Sequence, residues 1–306
     1  MSQTGAVIDL GTNTWHLLVG RFGETGKLER LFHERRYVFL YSQGKEVIGP
    51  EPYHKALEAV RHYKQKIDEI GVSLVAANGT EGLRKAKNGA HLIADIADQT
   101  GIEIQLINGT KEAQLTAKGI DIALKNASFE PPESQVVMDI GGGSVELLWR
   151  EEGTQRQLGS FPVGLGVMYP RFLAGEAFTS SELLDLRRWL ASYLSPFFQS
   201  FSADQRPALV GAAGTFEILA AISQPDAARP AAISLKTEDL RPLLKQLMTT
   251  SLEERSRMPG IDPERLAMMP LAAYLVDYVL DFCQQEQVIV SRYGLKEGAL
   301  EELLLG

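Results

Sequence analysis

Short apolar runs of strand length alternate along this chain with stretches whose apolar residues recur every three or four positions. Residues 6–10 form one such run, closing on Asp9, Leu10 and Gly11, and after Thr12, Asn13 and Thr14 a second run covers 15–20. That pattern predicts strand, tight turn, strand, with the polar groups in the turn. Over residues 52–70, Ala56, Leu57, Val60, Tyr63 and Ile67 share one helical face. Strands over 72–77 and 103–107, with helices over 91–99 and 111–124, continue the alternation and predict an α/β domain. Pro131 and Pro132 mark a connector over 129–134.

Beyond the connector the opening pattern returns. A strand over 135–139, a turn over 140–144 and a strand over 145–150 repeat it. VIDLGTNTWHLL from Val7 and VMDIGGGSVELL from Val137 align at a constant offset of 130 residues, pairing Asp9 with Asp139, Gly11 with Gly141, Thr14 with Ser144, and Leu17-Leu18 with Leu147-Leu148. An aligned repeat in matching strand–turn–strand context predicts two related halves. The second half continues with helices over 181–198 and 237–248, a strand over 208–211 running into Ala212-Ala213-Gly214-Thr215, a helix over 266–282, a strand over 287–290, and a closing helix over 295–305.

Composition narrows the class. The 306 residues are 44% apolar and 23% charged, ordinary for a folded soluble chain and long enough for two domains. The single cysteine, Cys283, excludes an internal disulfide framework and a cysteine zinc cluster. Residues 1–6 carry no basic segment ahead of an apolar run, so no leader is expected. Residues 266–282 include Pro270, Asp277 and Asp281 at helical spacing and read as a core helix, not a membrane span. A cytoplasmic protein is expected. The net charge of −8 disfavours a sequence-independent nucleic-acid surface. It still permits an anionic substrate, because backbone amides and a bound cation can hold phosphate against the net charge.

The two repeated loops are the first candidate site. Glycine lets backbone approach an anion closely, and Ser and Thr hydroxyls add donors. Gly11, Thr12, Asn13 and Thr14 face Gly141, Gly142, Gly143 and Ser144 as phosphate ligands, and Asp9 and Asp139 at the strand ends suit a hydrated divalent cation. Gly211, Gly214 and Thr215 form a third loop opening a helix, which suits either phosphate or simple packing. Glu112 stands in a first helical turn with Thr110 as the expected cap, and reads by itself first as a capping acid and only second as a general base. Arg84 follows a buried strand, where α/β proteins place ligands, and its planar fork suits phosphate. The 291–298 segment, with Arg292 and Lys296, either closes the cleft or caps the last helix. His spacing fits no metal site, and Walker A, Rossmann and Gly-x-Ser-x-Gly motifs are absent.

These motifs in this order, IDLGTNTWHLLV, TEGLRKAKN, INGTKEAQL, MDIGGGSVELL, VGAAGT and SRYGLKEGAL, resemble the exopolyphosphatase/guanosine pentaphosphate phosphatase (Ppx/GppA) family of the actin/Hsp70/sugar kinase superfamily. The resemblance implies two actin-like, ribonuclease H-like α/β domains with a cleft between them: residues 1–125, with 295–306 packing back on them, and 126–294. It implies that Glu112 activates water, that Asp139 and Glu146 belong to the catalytic and metal shell with Asp9 and Mg²⁺, and that Arg84 meets phosphate. A homodimer is implied by family habit. The implied activity is metal-assisted release of terminal orthophosphate from polyphosphate. The alternatives are a pppGpp 5′-phosphohydrolase, a kinase-like transferase and a non-catalytic nucleotide sensor.

The chain departs from the family pattern at Val145, at Glu81-Gly82 before Arg84, and at Leu266-Ala267 after Arg265. Glu81 places an acid close to the phosphate path. The sequence also stops at Gly306, without the additional helices of longer members, so short polyphosphates or nucleotide polyphosphates are the expected substrates.

Overall fold

A computed structural model describes residues 3–40, 47–173, 175–201, 205–225 and 230–306. The first half runs β1 (Gly5–Leu10), β2 (Thr14–Phe22), β3 (Leu28–Tyr37), α1 (Pro50–Ile70), β4 (Leu74–Gly79), α2 (Glu81–Lys85), α3 (Gly89–Thr100), β5 (Ile104–Leu106) and α4 (Gly109–Ala127). Its sheet has the order β3-β2-β1-β4-β5. β1, β2 and β3 are antiparallel neighbours, while β4 and β5 join in parallel.

The second half runs β6 (Ser134–Ile140), β7 (Val145–Glu151), β8 (Thr154–Phe161), α5 (Leu165–Phe172), α6 (Ser180–Phe198), β9 (Ala208–Ala212), α7 (Ala213–Ser223), β10 (Ala232–Lys236), α8 (Thr237–Thr249) and α9 (Leu252–Ser256). A 3₁₀ turn (Pro263–Met268), α10 (Met269–Cys283), β11 (Gln287–Ser291) and α11 (Leu295–Leu305) complete it. The strand order β8-β7-β6-β9-β11 repeats that of the first sheet, with β10 added antiparallel at the edge. This is the ribonuclease H-like order of actin-type domains, present twice, as the repeated sequence predicts.

Period-two alternation decides what each sheet face meets. Along β1, Ala6, Ile8 and Leu10 enter the outer core of the first half, whereas Val7 joins a central core shared by both halves. Along β6, Val136, Met138 and Ile140 enter the outer core of the second half, and Val137 joins the central core. Asp9 and Asp139 sit two residues after Val7 and Val137. The same parity therefore turns both aspartates inward, between the halves.

α4 and α11 fill that central layer and exchange partners. α4 crosses to touch β7, β8 and β10, while α11 returns from the end of the chain to pack on β1, β2 and β4. The two helices approach closely where glycines meet. A Cβ on Gly119 would lie 2.0 Å from the Gly294 carbonyl oxygen, and one on Gly298 would lie 1.9 Å from the Leu115 carbonyl oxygen. No side chain fits at either point, so this crossing is built on backbone contact.

Three differences from the sequence expectation have physical causes. The helix expected over 266–282 is a 3₁₀ turn followed by α10, because Pro270 lies in the first turn of α10, where its missing N–H costs nothing. The cap of α4 is Asn108 and not Thr110: the Asn108 side chain accepts from the Lys111 amide at 2.9 Å. The strands β3, β8 and β10 carry polar residues on their open sides and give no clean apolar run. Pro263–Cys283 has the length and mean hydropathy, 1.5, to cross a bilayer, yet 61% of that window is buried within the fold.

Candidate active site

Both loops are the same turn. The Gly11 amide donates to the Thr14 carbonyl at 3.1 Å, and the Gly141 amide donates to the Ser144 carbonyl at 2.9 Å. In the first loop the Thr12 and Asn13 carbonyls accept from Leu40 and from Val38 and Phe39. In the second, the Gly141, Gly142 and Gly143 carbonyls accept from Leu165, Gly166 and Gly164 at the start of α5. A trans peptide points its N–H opposite its C=O. Holding these carbonyls from behind therefore turns the amides of Asn13 and Thr14, and of Gly142, Gly143 and Ser144, to the other side. There the loops line a cavity of about 440 Å³ between the halves. Trp15, fully buried, braces the first loop by donating its indole N–H to the Gly11 carbonyl at 2.9 Å, and Tyr63 holds the Trp15 carbonyl at 2.8 Å.

The acids gather on the floor of this cavity. β1–β2 pairing sets Asp9 opposite His16, and β6–β7 pairing sets Asp139 opposite Glu146. Glu146 is buried and accepts from the Ser144 hydroxyl at 2.6 Å and the Ser160 hydroxyl at 2.7 Å. Asp139 accepts from the Thr116 hydroxyl at 3.2 Å. Glu112, buried in the first turn of α4, is paired with the Arg84 guanidinium, which also donates to the Ile107 carbonyl.

Burial and mutual repulsion push these acids upward. Glu146 rises to about 8, through burial first and then the neighbouring Glu112 and Asp139. Glu112 rises to about 7, through burial that outweighs the opposing pull of Arg84. Asp9 also rises to about 7 by burial, with Lys296 opposing. Asp139 moves in the same direction for the same first reason. On the opposite wall, His33 falls to about 4 and His16 falls well below its usual value, by burial and then the charge of Lys296. Their rings stack 5.5 Å apart, and His16 reaches Thr14 Oγ1 at 3.3 Å.

Seven carboxylates and only four Lys or Arg side chains line the cavity. Such a set fits a hard divalent cation, whose binding would relieve the repulsion that raises these acids. Among the described residues, no three His, Cys, Asp or Glu side chains are grouped closely enough to hold a metal ion by themselves. A cation here would therefore share its shell with water and with substrate oxygens, the usual habit of Mg²⁺.

Of the residues singled out in the sequence, Asp9, Gly11, Thr12, Asn13, Thr14, Glu112, Asp139, Gly141, Gly142, Gly143, Ser144, Glu146, Gly214 and Thr215 line the one cavity. Arg84 and Gly211 are not on its wall. Arg84 is turned to Glu112, and the space beside Gly211 is filled by the Phe216 ring, which a Cβ would meet at 2.0 Å. The 291–298 segment caps the last helix and also reaches the cavity. Glu297 caps α11 through the Gly294 amide at 2.7 Å, and Lys296 lines the cavity. Sequence reasoning passed over Thr116, Ser160, His16 and His33. Thr116 follows Glu112 by four residues on α4 and was findable on that spacing. Ser160 lies on the polar edge strand β8, which carries no apolar signal.

A family model described as "Ppx/GppA phosphatase family" matches residues 22–306. An exopolyphosphatase from Cytophaga hutchinsonii is similar in structure, with a TM-score of 0.90 at 30% identity over 98% of both chains. A Ppx/GppA family member from Aquifex aeolicus shares the fold, with a TM-score of 0.83 at 22% identity over 100% of this chain and 98% of its own. A guanosine-5′-triphosphate,3′-diphosphate pyrophosphatase from Vibrio atlanticus is 25% identical over 99% of this chain, which spans 61% of that curated relative's length.

Proposed function

The chain belongs to the Ppx/GppA phosphatase family, and from that premise we propose that it is a phosphohydrolase that releases terminal orthophosphate from inorganic polyphosphate. The observation that carries this reading is Glu112, a buried acid with a pKa near 7, facing Asp139 and Glu146 between two loops of inward-turned amides. A base works best when its proton affinity lies near the working pH. The loop amides, with the Thr12, Thr14, Ser144 and Thr215 hydroxyls, hold the terminal phosphates. Glu112 takes a proton from water as the water oxygen bonds to the terminal phosphorus and the bridging P–O bond breaks, so orthophosphate and a shortened chain leave. Arg84 positions the Glu112 carboxylate and favours its ionised form. Lys296 and Arg265 offset charge on the departing chain. Asp9, Asp139 and Glu146 would hold a divalent cation such as Mg²⁺, whose chemistry is to neutralise phosphate charge. Residues 1–125 with 295–306, and residues 126–294, serve as the two walls. The reading places the enzyme in the cytoplasm as a homodimer, an assembly that light scattering tests.

One observation favours a second reading. A groove of mixed character, lined by Ile218, Ala221, Ile233, Ile261 and Pro263 together with Gln224 and Asp262, shares Arg35, Gly214, Glu217 and Arg292 with the cavity. It could hold the nucleoside of pppGpp while the 5′-phosphates enter the cavity. The deciding experiment is phosphate release from tripolyphosphate, long-chain polyphosphate, pppGpp and ATP, with and without Mg²⁺. Mg²⁺-dependent release that is fastest on polyphosphate supports the first reading, and fastest on pppGpp the second. Tight binding without release from any substrate would sink both in favour of a nucleotide sensor.

A further inference from the structure

Three acids in the cavity, Glu81, Glu217 and Glu264, have no place in that chemistry, and the first lies against the loops. Glu81 opens α2, is 7% exposed, and lines the cavity. One of its carboxylate oxygens pairs with Lys85 one turn later. The other, Oε2, is buried without any hydrogen-bond partner. A buried charge oxygen left without a partner is costly, so its place needs a reason. Its surroundings supply one. A Cβ on Gly143 would lie 2.1 Å from Glu81 Oε2 and 3.3 Å from Thr12 Oγ1. The free oxygen thus rests against the last glycine of the second loop, beside the hydroxyl of the first. It stands at the junction of the two loops, and its charge acts on whatever anion their amides hold.

Glu112 is engaged by Arg84, Asp139 by Thr116, and Glu146 by Ser144 and Ser160. Among the described residues, Glu81 Oε2 is the one fully buried carboxylate oxygen without a hydrogen-bond partner, and it lies against the loops. A fixed negative charge beside an anion cradle weakens binding of a bare polyanion strongly. It weakens binding of an anion whose charge is cancelled by a divalent cation far less. We propose that Glu81 is a specificity-determining residue that makes this cavity prefer metal-complexed phosphate chains over free ones. The proposal rests on the phosphate-binding reading of the loops, not on hydrolysis. Lys85 tempers the effect by sharing the carboxylate from its half-exposed position.

The test measures binding without turnover. Methylene-bridged bisphosphonate, which resists hydrolysis, is titrated by calorimetry into the full chain, once with EDTA and once with saturating Mg²⁺. The readout is the ratio of the metal-free Kd to the Mg²⁺ Kd. In Glu81→Gln, which keeps the shape and removes the charge, that ratio should fall by about tenfold, the scale of one nearby unit charge in a partly screened site. Lys85→Met, which leaves Glu81 unshared, should raise it. An unchanged ratio in Glu81→Gln, or equal changes of both Kd values, overturns the proposal. Coincident circular dichroism melts of the variants and the parent exclude misfolding as the source of a change. Parallel phosphate-release assays keep the two readings separable. A collapsed ratio without release from any substrate would retain the role of Glu81 and reject the hydrolase. Normal release with an unchanged ratio would do the reverse.

Discussion

The two loops share a backbone and differ in the residue across from their aspartate. In the first half, β2 places His16 opposite Asp9; in the second, β7 places Glu146 opposite Asp139. The turn hydrogen bonds match, and both loops have their carbonyls held from behind. Yet one aspartate faces a ring whose basicity is suppressed, and the other faces a carboxylate pushed to about 8. The fold supplied the same turn twice. A single cross-strand position gave one copy a pair of acids and the other an acid beside an imidazole, which the proposed chemistry reads as an acid pole and a clamp.

The largest test of that asymmetry removes Glu112, the base proposed to serve the acid pole. Glu112→Gln keeps the shape and loses the proton acceptor, so phosphate release should fall by about 10²–10⁴-fold. Binding of a nonhydrolysable phosphate analogue should change little. Matching losses of binding and turnover would show that Glu112 holds substrate and does not act as base.

Next in size is a paired substitution across the strands. Glu146→Gln should cost activity by about 100-fold or more while stabilising the metal-free protein at alkaline pH. His16→Gln should do neither to a comparable extent. The sign follows from the raised acids. Asp9, Glu112 and Glu146 keep protons in the folded state up to about 7 to 8, whereas the unfolded chain releases them near 4. Their contribution is fully present below about pH 4 and is lost as pH rises through about 7 to 8. The melting temperature of the metal-free protein should therefore decline between pH 6 and pH 9. Glu146→Gln should recover on the order of 3 kcal/mol at pH 9, a figure shared among coupled acids. A flat melting profile over that range would remove the premise of an uncompensated acid pole.

Much of this asymmetry was legible in the sequence, and the reason is local. The 130-residue repeat is carried by strand–turn–strand units whose geometry depends on adjacent residues, so Asp9, Asp139 and the glycines could be placed by register alone, whereas Glu146 came only with the family resemblance. Glu112 needed more, since a first-turn acid on a helix is ordinary, and only the packing of α4 across the second sheet brings it to Asp139. Arg84 was sited near the cavity by its position after β4. Its partner could not be read, because Glu112 lies 28 residues further on and meets it only in the folded molecule. Lys296 and Arg265 come from late in the chain: Lys296 enters the cavity because α11 folds back onto β1, and Arg265 is brought to it by the 3₁₀ turn ahead of α10. The polar edge strands β3 and β8, which contribute His33 and Ser160, lack an apolar face and left no pattern to read.

A cation should act on the acid pole in the opposite sense to rising pH. Mg²⁺ neutralises carboxylates only where they are ionised, so its stabilising effect should grow with pH. At a concentration 100-fold above its dissociation constant the gain is about 2.7 kcal/mol. The difference in melting temperature with and without Mg²⁺ should be small at pH 5 and clear at pH 8.5. Glu146→Gln should shrink it and His16→Gln should leave it. Equal Mg²⁺ effects at both pH values would place the ion outside the raised acids.

The smallest expected effect comes from the clamp. Thr12 is buried, offers a hydroxyl to the cavity, and has its carbonyl fixed by Leu40, so Thr12→Ala removes a donor while leaving the loop backbone in place. A single neutral hydrogen bond is worth about 1 kcal/mol net, which corresponds to roughly a fivefold rise in KM. If the first loop holds phosphate in ground and transition states alike, as proposed, kcat should change by less than about twofold, as uniform binding requires. A fall in kcat as large as that of Glu146→Gln would mean that the hydroxyl meets the reacting phosphoryl group. The two loops would then share the chemistry equally, and the opposition of His16 to Glu146 would have to be explained by something other than catalysis.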